Sequence, residues 1–138
     1  MQIDEGAMTA GQRLFKQYGI RGIRGEVEDG LPAVLYGGLP AYEEAKQAGF
    51  SNDVVLLHTL LALMTVVEDT TIVHRHNLTF LRDVQADAQR IMSLGGALTE
   101  EGFQAIVDLD ANYSSRRISP GGSADLLAVT HFLYEVTA

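Results

Sequence analysis

The chain has 138 residues, with ten basic residues against eighteen acidic ones, no cysteine and a formal net charge of −8. That length predicts one domain, since domains cluster at ~100–150 residues, and it can bury enough surface for a core without staples. Disulfides, thiolate metal sites and cysteine nucleophiles are excluded, and the acidic balance argues against a nucleic-acid partner. Eight of the ten basic residues are Arg, so a local cluster for a small anion stays open. The longest apolar run, Val54 to Val67, would span only about 21 Å as a helix, short of the ~30 Å hydrocarbon core. It reads as a buried helix. The acidic start, Met1 to Glu5, has no signal pattern, and the expectation is a cytoplasmic protein without a membrane partner.

In chain order, Thr9 to Tyr18 reads as a first helix ended by Gly19. Residues 19 to 30 carry four glycines among charges and read as a loop or turn-rich connection. Leu31 to Tyr36 and Ala41 to Ala48 read as short helices, with Pro32 and Pro40 in first turns and Gly37-Gly38 and Gly49 as C-terminal caps. Ser51 suits the N-cap of a long helix from about Asn52 to Glu68. Its apolar residues surround the axis, as befits the central helix of a bundle. A second long helix runs from about Leu78 to Leu94, with Leu78, Leu81, Val84, Ala88, Ile91 and Met92 on one stripe and Gly95-Gly96 as the stop. Thr99 caps a third, with Glu100 and Glu101 at its positive end and Phe103, Ile106, Val107, Asp110 and Tyr113 on one side. The last begins near Ser119-Pro120 and runs to Val136, burying Leu126, Leu127, Val129, Leu133 and Val136. No strand alternation is convincing. The fold class is all-α, a multi-helix bundle in one domain, residues 1–138.

Three segments could carry chemistry. In Gly22-Ile23-Arg24-Gly25-Glu26, continuing to Asp29-Gly30, glycines admit close backbone approach while Arg24 and Glu26 offer an anion contact and a carboxylate. A tight polar loop with solvated charges is the plainer alternative. In Glu68-Asp69 through Arg75-His76-Asn77, two carboxylates sit at the negative end of an apolar helix, unfavourable by roughly 0.3–1 kcal/mol each. A cation would relieve them. Asp69 is thus a candidate Mg²⁺ or ribose contact, or else simply pairs with Arg75. His74 and His76 give only weak zinc spacing. In Arg116-Arg117-Ile118-Ser119-Pro120-Gly121-Gly122-Ser123-Ala124-Asp125, two arginines precede a helix start whose free amides suit phosphate. Two glycines in a first turn cost ~1 kcal/mol each, which favours a ligand over a mere cap. His58 and His131 read as core or packing histidines, Met64 and Met92 as core filler, and Asp83, Asp87 and Arg90 as a solvated face.

Together these segments resemble the triphosphoribosyl-dephospho-CoA synthases. The likeness rests on Gly22-Ile23-Arg24-Gly25-Glu26, Gly30-Leu31-Pro32, Asp69-Thr70-Thr71 with Arg75, and most specifically Arg117 to Ala128. It extends over nearly the whole chain and corresponds to the carboxyl-terminal half of a longer family member. The resemblance implies a pentosyl transfer that joins ATP to 3′-dephospho-CoA, releases adenine, and makes the prosthetic-group precursor of citrate lyase or malonate decarboxylase. Arg75-His76-Asn77 leans toward the citrate lyase branch. It implies Arg24, Arg75 and Arg117 as phosphate contacts, with Ser119 and the Gly121-Gly122-Ser123 amides beside them. Asp69 would be the magnesium or ribose carboxylate, and Glu26 and Asp125 the next carboxylates for base or oxocarbenium stabiliser. A second copy or a partner chain would supply the other half of the site. The competing expectation is a non-catalytic helical nucleotide-binding or assembly module, which an exposed apolar patch on one helix would favour.

Overall fold

Ser51 opens the helix on which the whole arrangement turns. Its side chain accepts from the Val54 amide at 3.4 Å, satisfying one of the donors a helix start leaves unpaired. The computed structural model describes residues 22–69, 72–73, 77–116, 118 and 121–137, with only the backbone of 22–24. Within these, six α-helices follow in order: α1 (Gly22–Glu28), α2 (Leu39–Gln47), α3 (Asn52–Met64), α4 (Leu78–Ser93), α5 (Glu100–Ser115) and α6 (Gly121–Thr137). A π-helical turn, Val34–Gly38, leads into α2, and a 3₁₀ turn, Gly96–Leu98, leads into α5. No strand occurs among the described residues, so the all-α class holds.

The central position of α3 follows from its composition. Leu61 and Met64 belong to the main core with Leu81, Val84 and Ile91 of α4 and Ile106 and Tyr113 of α5. Leu63 belongs to a second cluster with Val34 and Leu126, and Val55 to a third with Tyr42 and Ala45. A helix that feeds three apolar clusters must be apolar all round. Each such leucine, fully buried, contributes about 1.5–3 kcal/mol.

Local chemistry sets the other boundaries. Asn77 accepts from the Phe80 amide at 2.9 Å to start α4, and Thr99 from the Gly102 amide at 3.1 Å to start α5. Gly95, at φ 105°, ends α4 in the left-handed conformation that glycine takes without penalty.

Four expectations change. Residues 22–28 are helical, not a loop. This helix closes with a Schellman pattern, Leu31 N to Glu26 O at 2.8 Å and Gly30 N to Val27 O at 3.2 Å, so the glycines mark its stop as well as its weakness. The two short helices predicted over 31–48 are one helical run, because Gly37-Gly38 is a close-approach point rather than a cap. A Cβ at Gly38 would lie 2.6 Å from Thr130 Oγ1. The Leu39 amide reaches back to Val34 O, and this widened turn precedes Pro40, which lacks the amide an ordinary turn requires.

The third change concerns α3, which stops at Met64 instead of Glu68. Gln85 Nε2 and Gln89 Nε2 of α4 donate to Val67 O (3.1 Å) and Thr65 O (3.3 Å), taking over carbonyls beyond the helix end. The fourth concerns faces: Val136 is exposed on α6, and Phe103, Val107 and Asp110 are exposed on α5, where only Ile106 and Tyr113 of the predicted side are buried. The helix predicted over Thr9 to Tyr18 lies outside the described residues. No helix among the described residues is long and apolar enough to cross a membrane.

Candidate active site

Glu26 lies on α1, two residues before its end, and its carboxylate is turned onto the next helical run. Oε1 accepts from the Ala33 amide at 2.5 Å and the Val34 amide at 3.3 Å. These amides have no partner in the preceding turn, so Glu26 serves as a cap delivered from a neighbouring helix.

Asp69 does the same for α6. The carboxylate is 2% exposed, and Oδ2 accepts from the Ser123 amide at 3.1 Å. Gly122 packs directly against it: a Cβ there would lie 3.2 Å from both Asp69 Cγ and Oδ1. The dipole that governs Asp69 is therefore the positive end of α6, not the negative end of α3, and it favours the carboxylate where the other would have opposed it. A buried charge needs such a partner. The cost of glycine in the first turn of α6 also acquires an internal reason, since Gly122 is what lets the carboxylate approach.

The first two segments line one cleft of about 390 Å³. Gly25, Glu26 and Asp29 of the first segment line one side. Pro32, Ala33, Tyr36 and Gly37 of the π-helical region line another, with Val66, Val67 and Glu68 beyond the end of α3 and Leu126 of α6 completing it. Asp69 follows Glu68 in the chain, and its contact with Gly122 and Ser123 joins the second segment to the third. Of the predicted site residues, Glu26 lines the cleft, while Asp69, Gly122 and Ser123 form a buried contact behind it.

The other predicted site residues fall differently. Asp125 is solvent-exposed on α6 and has no hydrogen-bond or ion-pair partner among the described residues. Gly121 is half-buried at the helix start. Arg24 belongs to α1 by its backbone, and its side chain lies outside the described residues, as do Arg75, Arg117 and Ser119. The expected pairing of Asp69 with Arg75 and the histidines His74 and His76 lie there too. Arg116, next to Arg117, donates to Asn112 Oδ1 at 3.1 Å and lies 5.1 Å over the Phe80 ring.

The residues read as structural mostly behave so. His58 is buried, and its Nδ1 accepts from the Ala97 amide at 3.2 Å. His131 is exposed but packs on Tyr42, whose hydroxyl lies 2.8 Å from its Nδ1. Met64 is buried and Met92 packs on the same core. Asp83 and Arg90 are exposed, whereas Asp87 is not merely solvated: it accepts from the Tyr113 hydroxyl at 2.6 Å. Burial first, then the Asp87 hydrogen bond and charge, push the Tyr113 pKa well above its ordinary value. Sequence reasoning passed over Tyr36, an exposed aromatic on the cleft. The sole hint was its setting before two glycines.

The family of ATP:dephospho-CoA triphosphoribosyl transferases matches residues 1–138. A relative from Vibrio cholerae serotype O1 (strain M66-2), described as a probable 2-(5''-triphosphoribosyl)-3'-dephosphocoenzyme-A synthase, is 44% identical over 128 residues, covering 93% of this chain and 41% of the relative. One from Pectobacterium carotovorum subsp. carotovorum (strain PC1), with the same description, is 44% identical over 133 residues, covering 96% of this chain and 42% of that one. The chain thus spans about two fifths of the length of these curated relatives. No solved structure matches.

Proposed function

Because the chain belongs to the ATP:dephospho-CoA triphosphoribosyl transferase family, we propose that it contributes to joining ATP to 3′-dephospho-CoA with release of adenine, in making the citrate lyase prosthetic group. The supporting observation is convergence. Glu26 and Glu68, far apart in sequence, line one cleft with Leu126 of α6, and Asp69, next to Glu68, ties this wall to the start of α6 through Gly122 and Ser123. In this reading the chain corresponds to the carboxyl-terminal half of the longer enzyme.

The reaction is a substitution at an anomeric carbon. The 2′-oxygen of dephospho-CoA bonds to C1″ of the ATP ribose, the C1″–N9 bond breaks, and its electron pair leaves with adenine, which takes up a proton. The 2′-hydroxyl proton passes to a base. By analogy with glycoside chemistry, a carboxylate near C1″ stabilises the oxocarbenium character. Asp69 has one oxygen engaged by the Ser123 amide and is nearly fully buried, so its part is to fix the start of α6. Glu26 likewise fixes the helical run at Ala33 and Val34, with its carboxylate on the cleft wall. Asp125, exposed on α6 and outside the cleft lining, is the proposed proton acceptor. Arg24, Arg75, Arg117 and Ser119 are the proposed triphosphate contacts.

Asp69 is buried and already accepts from the Ser123 amide, so no protein ligand is assigned to magnesium. The ion belongs to this reading as the counter-ion of the triphosphate, and no step is assigned to it.

Adenine release from ATP, measured on this chain with and without dephospho-CoA and Mg²⁺, tests the proposal. Release that requires dephospho-CoA is the expected result. ATP binding without release would support the second reading, a nucleotide-binding or assembly module. That reading draws on the exposed Phe103 and Val107 of α5 and on an apolar cleft of about 350 Å³ between α3 and α5, lined by Leu57, Leu60, Met64 and Ile106.

A further inference from the structure

We infer that Tyr36 is the stacking platform for the adenine ring of ATP, with Glu68 accepting from its exocyclic amine. This rests on the reading of the cleft as the nucleotide site and names which end of the nucleotide enters it.

Tyr36 is 82% exposed, yet it stands on a helical turn that is otherwise packed at Val34 and Gly38. It contributes almost nothing to the core, and its hydroxyl has no partner among the described residues. Phe103 and Phe132 are exposed too, but among the described aromatics Tyr36 alone lines this cleft, where its ring can stack on a planar ligand, because every base has a π face. The neighbouring wall is suited to a flat ring: Gly37 presents no side chain, and Pro32, Val66 and Leu126 are apolar.

The charge of the cleft decides the orientation. Among the described residues, the charged side chains lining it are Glu26, Asp29 and Glu68, all acidic. Such a lining repels a triphosphate and suits a hydrogen-bond donor. Glu26 already holds the Ala33 and Val34 amides. Glu68 is exposed and without an ion-pair or hydrogen-bond partner among the described residues, so it is the carboxylate open to a ligand. Adenine presents an amine at the position where guanine presents a carbonyl oxygen. The same carboxylate therefore accepts from one base and opposes the other.

Calorimetric titration of the 138-residue chain with ATP and with GTP tests this. Tyr36→Ala is expected to weaken ATP binding roughly tenfold or more, the loss that removing one stacked aromatic produces, and Tyr36→Phe to leave it within about twofold. Glu68→Gln is expected to narrow the preference for ATP over GTP, since an amide can donate as well as accept. Wild-type affinity in Tyr36→Ala would overturn the stacking role while leaving the proposed function standing. Equal losses in the Ala and Phe variants would overturn it too, because the hydroxyl and not the ring would then be the contact. An unchanged base preference in Glu68→Gln would remove Glu68 from the amine. Absence of ATP binding by the unmodified chain would overturn both this inference and the reading beneath it.

Discussion

Replacing Asp69 by alanine removes the acceptor that α6 uses at its start, and the structure gives the size of the loss. The Ser123 amide, itself buried, would lose its 3.1 Å partner. An unsatisfied buried donor costs about 1–3 kcal/mol. The favourable interaction between a carboxylate and a helix N-terminus, up to ~2 kcal/mol where partly buried, is lost as well. Alanine also relieves the desolvation of a carboxylate that is 2% exposed, which offsets part of both. A net destabilisation of about 2–4 kcal/mol follows. At about 3–4 °C per kcal/mol for a chain of this size, Tm should fall by about 6–16 °C. Asp69→Asn keeps an oxygen for the amide but not the charge, so it should lie between wild type and alanine. Circular dichroism melts give the order, and amide hydrogen exchange gives the location. The Ser123 amide should exchange faster in the alanine variant by roughly 30-fold for each 2 kcal/mol, while amides of α4 change only with global stability. A Tm within about 1 °C of wild type for Asp69→Ala would refute the capping role.

Three further outcomes follow from individual contacts. Glu26→Ala should cost about 1 kcal/mol by freeing the Ala33 and Val34 amides, read as a shift in urea midpoint, with Glu26→Gln largely restoring it. Gly38→Ala should destabilise by about 1–3 kcal/mol despite the better helix propensity of alanine, because the new Cβ meets Thr130 Oγ1 at 2.6 Å. Adding Thr130→Ala should make the double variant more stable than the sum of the single losses, in a thermodynamic cycle by denaturant melts. For Tyr113 the folded-state pKa is raised above the ordinary 10.0 by burial and by Asp87. Its stabilising contribution is therefore complete below that pH and declines as pH rises beyond it. Urea midpoints at neutral and strongly alkaline pH should show Tyr113→Phe losing less stability than wild type over that interval, and an identical decline would remove Tyr113 as a contributor.

What the sequence made legible is what neighbouring residues decide. Ser51 and Thr99 were readable as caps because each bonds an amide three residues on, and Gly49 because its left-handed φ of 84° closes a turn onto Lys46 O. The centrality of α3 was readable because apolar residues on every side of a helix admit only one position. The features that escaped are those in which one element completes another. The carbonyls beyond α3 are satisfied by Gln85 and Gln89, 18 and 24 residues away, so nothing near Met64 announces that the helix can end there. Gly37-Gly38 resembled a stop because the residue that forbids a side chain at Gly38, Thr130, is on the last helix. Asp69 is the sharpest instance. Its sequence position at the exit of an apolar helix suggests a charge in need of a cation, which is why Asp69 reads as a magnesium or ribose contact. The need was real, but α6 meets part of it, 54 residues on, through an amide rather than a metal. A carboxylate and a phosphate are the same kind of guest to a helix N-terminus. The motif that looked like an anion site is one, and within the fold its anion is Asp69. In the proposed reading the nucleotide therefore lies outward from that buried contact, at the exposed wall formed by Tyr36 and Glu68.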